Sequence, residues 1–173
     1  MAKHIIFFNT KGGVGKSTLC EYTARTLADL GHVVSVDNTD QQVHVTLIQN
    51  DDAEFCIYDT AGAFTSANVD LLAAASSVDS LIIIPIKTGK NDFKELNFLV
   101  QKLQGLNLTD KTRFVFTNTR SNSKALAARR DELAALNLNS VDWFMPSLED
   151  FSEQRNTKRT RIEMNVFLSE VIL

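Results

Sequence analysis

The chain is poor in the residues that staple, break or anchor a fold. Its 173 residues include two cysteines, two prolines, seven glycines and one tryptophan. Cys20 and Cys56 are too few and too scattered for a zinc site or a disulfide framework. Both sit in apolar surroundings, which points to a reduced chain of the cytoplasm. The longest apolar runs, such as residues 81–86, are far too short to cross a bilayer, so no integral membrane segment is expected. The first eight residues lack the layout of a secretory leader, because Lys11, Gly12 and Gly13 interrupt the stretch almost at once. A hydrophobic content of 44%, a charged content of 23% and a mean hydropathy of −0.08 exclude disorder and collagen-like repeats. A chain of this length reads as a single domain over residues 1–173. It buries roughly 70% of the surface its unfolded form exposes and needs no staple.

The net charge is −3, which argues against a bulk nucleic-acid binder, but its distribution is uneven. Residues 111–161 hold ten Lys and Arg against six Asp and Glu, and the remainder holds eight against fifteen. A locally basic third thus sits on an acidic body. It reads either as ordinary solvated surface or as a patch for phosphates.

Short β-branched runs alternate with helical patterns. Strands are expected at residues 4–8, 33–36, 55–58, 81–84 and 113–117, with a shorter one at 142–145. Helices are expected at 17–30, 92–103, 124–136 and 163–172, and Gly31 stands where a left-handed residue ends the first of them. Several strands are continuous apolar runs, the pattern of strands covered on both faces. The fold class is therefore α/β, a doubly wound, mostly parallel sheet flanked by helices. Ligands of such sheets bind beyond the carboxyl ends of the strands.

Three of the seven glycines fall between positions 12 and 15. The first strand runs into Lys11, Gly12, Gly13, Val14, Gly15, Lys16, Ser17 and Thr18, and a helix follows. A helix N-terminus presents unpaired N–H groups and positive dipole, and so holds phosphate. The glycines let the backbone curl around an anion. Lys16 is placed to reach the β- and γ-phosphates, and the Ser17 hydroxyl is the one a P-loop directs at Mg²⁺. The general P-loop pattern has Gly where this chain has Thr10, and the chain carries a second lysine, Lys11, ahead of the glycines. Phe55, Cys56, Ile57 and Tyr58 form an apolar strand that ends in Asp59, an acid placed to hold Mg²⁺ beside the phosphates.

The run from Lys11 to Thr18 resembles the deviant Walker A motif of the ParA/MinD ATPases, which partition plasmids and chromosomes or place the division site. The resemblance implies a P-loop NTPase fold, ATP and Mg²⁺ as cofactors, and an ATP-dependent sandwich dimer in which Lys11 reaches the partner's nucleotide. Gly12, Gly13, Val14, Gly15, Lys16, Ser17 and Thr18 would bind the nucleotide. Where the family carries Asp-x-Asp-Pro-Gln, this chain has Asn38, Thr39, Asp40, Gln41 and Gln42. Asp40 falls on the aspartate that orients the attacking water, so Lys11, Lys16 and Asp40 are the implied catalytic set. Asn38 replaces the first aspartate and Gln41 the proline, with Asp37 one residue early. These departures bear on metal affinity and hydrolysis rate rather than on nucleotide binding. Ser17 and Asp59 are the implied metal residues, and Asp59, Thr60, Ala61 and Gly62 look like the γ-phosphate-sensing switch. Asn91, Asp92 and Phe93 resemble the dimer-facing loop. Asn118 matches the asparagine that contacts adenine, and Pro146, with Phe151 beyond, the segment that lines the base.

The first functional expectation is a partition-type ATPase, converting ATP and water to ADP and phosphate slowly until a DNA-bound adaptor protein stimulates it. Its ATP-bound homodimer would bind DNA without sequence preference through Arg155, Lys158, Arg159 and Arg161, associating it with the nucleoid. Lys124, Arg129 and Arg130 form a second basic cluster. The alternatives are a MinD-like positioning ATPase using the amphipathic tail 162–173, or a metabolic P-loop enzyme. The polar face of that tail carries Glu163, Asn165, Ser169 and Glu170 and is not basic, which favours a core helix over a lipid anchor.

Overall fold

The computed structural model describes residues 1–39, 47 and 52–173. Its strands are β1 (Lys3–Phe7), β2 (Val34–Asn38), β3 (Phe55–Asp59), β4 (Ser80–Ile86), β5 (Thr112–Thr119) and β6 (Ser140–Pro146). They form one sheet in the order β2-β3-β1-β4-β5-β6, and every pairing is parallel. All carboxyl ends therefore lie along one edge. The helices are α1 (Lys16–Asp29), α2 (Ser66–Ala75), α3 (Lys90–Lys94), α4 (Leu96–Gly105), α5 (Lys124–Ala135), α6 (Glu149–Ser152) and α7 (Lys158–Phe167), and a π-helical segment follows at Leu168–Ile172.

The strands separate two apolar layers because alternate side chains point to opposite faces. Ile5 and Phe7 of β1 pack with Leu19 and Leu27 of α1 and with Met164 and Phe167 of α7. Ile6 and Phe8 pack with Leu71 and Leu72 of α2 and Leu99 and Leu103 of α4. Each fully buried Leu, Ile or Phe contributes about 1.5–3 kcal/mol. Covered on both faces, β3 and β4 are buried at every residue, as their unbroken apolar runs predict.

Local chemistry sets the helix ends. Leu30 closes α1, and Gly31 follows at φ 92°; its N–H bonds Ala28 O and that of His32 bonds Leu27 O. This is a Schellman ending, as Gly31 predicts. Thr65 and Ser123 accept from first-turn amides of α2 and α5, and Thr157 and Thr160 form a capping box at α7.

Two elements depart from the sequence reading. The helix expected at 92–103 is broken at Glu95, because Asp92 turns to Lys11 and Phe93 stacks on Phe116 while Leu96, Leu99, Val100 and Leu103 face the core. The helix expected from 163 begins at Lys158, and Lys3 Nζ holds its far end through Ile172 O at 2.6 Å. Helices α2 and α6 carry no expectation from the sequence.

Candidate functional site

The Gly-rich loop leaves β1 at the carboxyl edge of the sheet and enters α1. Gly13 and Gly15 adopt φ 71° and 84°, conformations that L-residues rarely take. A Cβ on Gly15 would also lie 3.0 Å from Met145 Cε and 3.7 Å from Thr117 Cβ. Gly15 is the N-cap of α1 and no side chain caps the helix, so its first amides face the loop's concavity. Residues 11–18 and Gly62 line this cup of about 320 Å³. The residues expected from the sequence to curl around an anion are thus brought together around one concavity.

Two lysines serve the cup, and each is paired with a carboxylate. Lys16 Nζ lies 2.5 Å from Asp59 Oδ1 at the end of β3, with both side chains nearly buried. Lys11 Nζ lies 2.8 Å from Asp92 Oδ1 on α3, and a third of the Lys11 side chain is exposed. The hydrogen bond to Asp92 raises the Lys11 pKa above the ordinary lysine value.

The loop is held by residues to which the motif gives no role. Asn9 Oδ1 accepts the Lys11 N–H at 2.9 Å while its Nδ2 donates to Pro85 O at 2.6 Å. Thr117 Oγ1 donates to Val14 O at 2.6 Å and lies 3.3 Å from Ile86 O. On the other side, buried Asn68 of α2 donates to Ala61 O at 3.1 Å and Ala63 O at 2.7 Å, and so fixes the segment after Asp59. Asn9 and Thr117 carry a legible signal, a polar residue closing an apolar strand. Asn68 carries none, since its helix was not expected.

Beside the cup a cleft of about 260 Å³ runs between the loop and the ends of β5 and β6. Asn118 and Pro146 both line it. Asn118 is exposed and left-handed at φ 51°. Phe151 also lines the cleft and stands edge-on to Tyr22 at 5.0 Å.

Asp40 and Gln41 lie outside the described residues. Asn38 ends β2 directly across from Asp59, which brings it to the same edge. No group of three His, Cys, Asp or Glu side chains that could hold a metal occurs among the described residues. Ser17 lines the cup, and Asp59 stands behind it, paired with Lys16. Both cysteines are buried, and burial raises both thiol pKa values, which suits packing rather than reaction.

The basic residues divide into engaged and exposed ones. Arg155 is ion-paired with Glu149 at 3.0 Å and with Asp150 at 3.6 Å. Lys158, Arg159 and Arg161 are exposed on the first turn of α7, and Arg161 Nη1 lies 3.4 Å from Asn156 Oδ1. In the second cluster Lys124 is exposed. Arg129 pairs with Glu132, donates to Thr88 O and lies over the Phe93 ring, and Arg130 donates to Asp142 O. That cluster joins elements together more than it presents charge.

The family model described as the CobQ/CobB/MinD/ParA nucleotide binding domain matches residues 5–161. Among solved structures, a plasmid partition protein of Borrelia burgdorferi bound to AMPPNP is 14% identical with a TM-score of 0.71, over 98% of this chain and 99% of that one. Cobyrinic acid a,c-diamide synthase of Mycobacterium smegmatis, bound to ADP and magnesium, is 12% identical with a TM-score of 0.72, over 98% and 93%. The cell division protein MinD of Aquifex aeolicus is 15% identical with a TM-score of 0.67, over 99% of both chains. No curated sequence relative matches the chain. At these identities the likeness is one of fold.

Proposed function

This chain belongs to the CobQ/CobB/MinD/ParA nucleotide-binding family, and from that premise we propose that it is an ATP-hydrolysing switch of the partition type. ATP would occupy the cleft and cup, its base near Asn118 and Pro146 and its phosphates among residues 12–18. Mg²⁺ fits a site made by the phosphates, the Ser17 hydroxyl and Asp59, where it would neutralise phosphate charge. Lys16 would pass from Asp59 to the phosphates, and Asp40 would orient water. The chemistry asked of the chain is positioning and charge stabilisation.

The observation that carries the reading is the Lys11–Asp92 ion pair at the rim of the cup. Lys16 suffices as the lysine inside the cup, whereas Lys11 stands at the rim, partly exposed and tethered to the mostly buried carboxylate of Asp92. A second copy closing over the rim would offer phosphates in exchange for Asp92, which couples dimerisation to ATP. The dimer doubles the exposed patch of Lys158, Arg159 and Arg161, so its grip on DNA would depend on nucleotide and weaken with salt. A DNA-bound adaptor would stimulate hydrolysis and release.

A metabolic reading has one observation in its favour, the equally high likeness to the diamide synthase. Against it, the cleft of about 560 Å³ lined by Arg120, Trp143, Arg159 and Glu163 includes no residue of the phosphate loop. Light scattering tests the preferred reading. The wild type should double in mass with ATP and Mg²⁺ but not with ADP. Lys11→Ala should bind ATP with at most a few-fold loss and stay monomeric, and Lys16→Ala should lose ATP binding. A Lys11→Ala variant that still dimerises with ATP removes Lys11 from this role.

A further inference from the structure

Lys87 follows the last residue of β4, and neither the motifs nor the reading above uses it. It lines the base cleft, as do Asn118 and Pro146, but it does not line the phosphate cup. Four loop residues, Gly13, Val14, Gly15 and Thr18, line both. Lys87 directly follows Ile86, whose carbonyl lies 3.3 Å from the same Thr117 Oγ1 that donates to Val14 O of the loop, so its backbone stands beside the loop on the cleft side. That backbone is fixed by the sheet, since Ile86 pairs with Phe116.

The charge balance of the site singles it out. Lys16 is neutralised by Asp59 at 2.5 Å and Lys11 by Asp92 at 2.8 Å. Glu149, the acidic residue lining the cleft, is taken by Arg155 at 3.0 Å. Among the described residues no carboxylate or carbonyl partners the half-buried Lys87. A nucleotide's phosphate would partner it through a charge-assisted hydrogen bond.

We propose that Lys87 is a nucleotide-binding residue whose ammonium takes the α-phosphate, at the base-side end of the phosphate chain. The assignment rests on the reading of loop and cleft as a nucleotide site. ATP and ADP share an α-phosphate, so Lys87 adds affinity for both and takes no part in distinguishing them. Lys16 and Lys11, farther along the cup, are left to sense the triphosphate.

Lys87→Ala and Lys87→Arg in the full chain test this by calorimetric titration with ATP, ADP and AMP, and with adenosine by competition. Circular dichroism checks the fold. Lys87→Ala should weaken ATP, ADP and AMP alike by roughly tenfold, the scale of one hydrogen bond to a charged group. Adenosine should be unaffected, and Lys87→Arg should restore most of the loss. Unchanged affinity for ATP and ADP overturns the assignment. So does a loss confined to ATP, or an equal loss for adenosine. A wild-type chain that binds no nucleotide would sink the nucleotide-site reading itself, an outcome distinct from a silent Lys87.

Discussion

At the P-loop the charges are already arranged for exchange. Each loop lysine holds a carboxylate that an incoming phosphate would displace in the proposed site, and the carboxylates belong to different elements, β3 for Asp59 and α3 for Asp92. The loop's shape rests on glycine where two demands coincide. Gly15 needs a left-handed backbone and also has Met145 Cε where a Cβ would crowd it. Gly15→Ala is expected to lose at least about 1–2 kcal/mol in urea unfolding, the cost of a left-handed L-residue, and to lose nucleotide binding with it. A variant as stable as the wild type would show that the loop relaxes freely.

A second residue-scale expectation concerns pH. Burial lowers the His4 pKa below the ordinary 6.5, with Asp79 opposing the shift, and His4 Nδ1 meets Tyr58 OH at 2.9 Å. Below pH 6.5 the unfolded chain takes up a proton that the folded chain resists. Stability should therefore fall as pH drops through that range. Chemical unfolding at pH 7.5 and 5.5 checks this. The fall should be smaller in His4→Gln, and an equal fall in both proteins would assign the effect to other groups.

At the scale of elements, α2 holds the segment that follows Asp59. Asn68 ties Ala61 and Ala63 to the helix, and Thr60 Oγ1 ties the strand end to Phe7 O at 2.8 Å. Removing the Asn68 amide leaves two carbonyls without their partner, at a cost of about 1–3 kcal/mol. Asn68→Ala should lower ATP turnover more than ATP affinity, because the released segment is the one facing the γ-phosphate in the proposed site. Steady-state kinetics beside nucleotide titration separates the two, and an affinity loss as large as the turnover loss would contradict it. This helix also marks where sequence reading stopped short. Its alanine-rich stretch offers no strong apolar stripe, although parallel β3 and β4 demand a crossover between them. The break at Glu95 was hidden differently, because Asp92 and Phe93 answer to tertiary partners that no local pattern encodes. The strands were legible because burial on both faces requires unbroken apolar runs. The loop was legible because glycine at φ 71° and 84° has no common substitute. A polar residue closing an apolar strand marks Asn9 and Thr117 in the sequence, but the carbonyls they hold, Pro85 O and Val14 O, are distant in sequence and come into view only in the fold, as does the place of Lys87.

At the scale of the whole molecule, an acidic chain carries a small exposed basic turn. Lys158, Arg159 and Arg161 are solvent-facing at the start of α7, whereas Arg155 is held by Glu149 and Asp150. The two sets should therefore differ in effect. Replacing Lys158, Arg159 and Arg161 with Glu should abolish DNA retention at moderate salt and leave nucleotide binding intact. Arg155→Ala should weaken retention only slightly, since its charge is already partnered.

The most direct measurement is retention of non-specific duplex DNA by the wild-type chain with ATP against ADP, at two salt concentrations. A nucleotide-gated grip predicts retention with ATP, little with ADP, and a steep loss as salt rises, because released counterions drive the binding. Equal retention with both nucleotides, or none with ATP although ATP is bound and the chain dimerises, would contradict it.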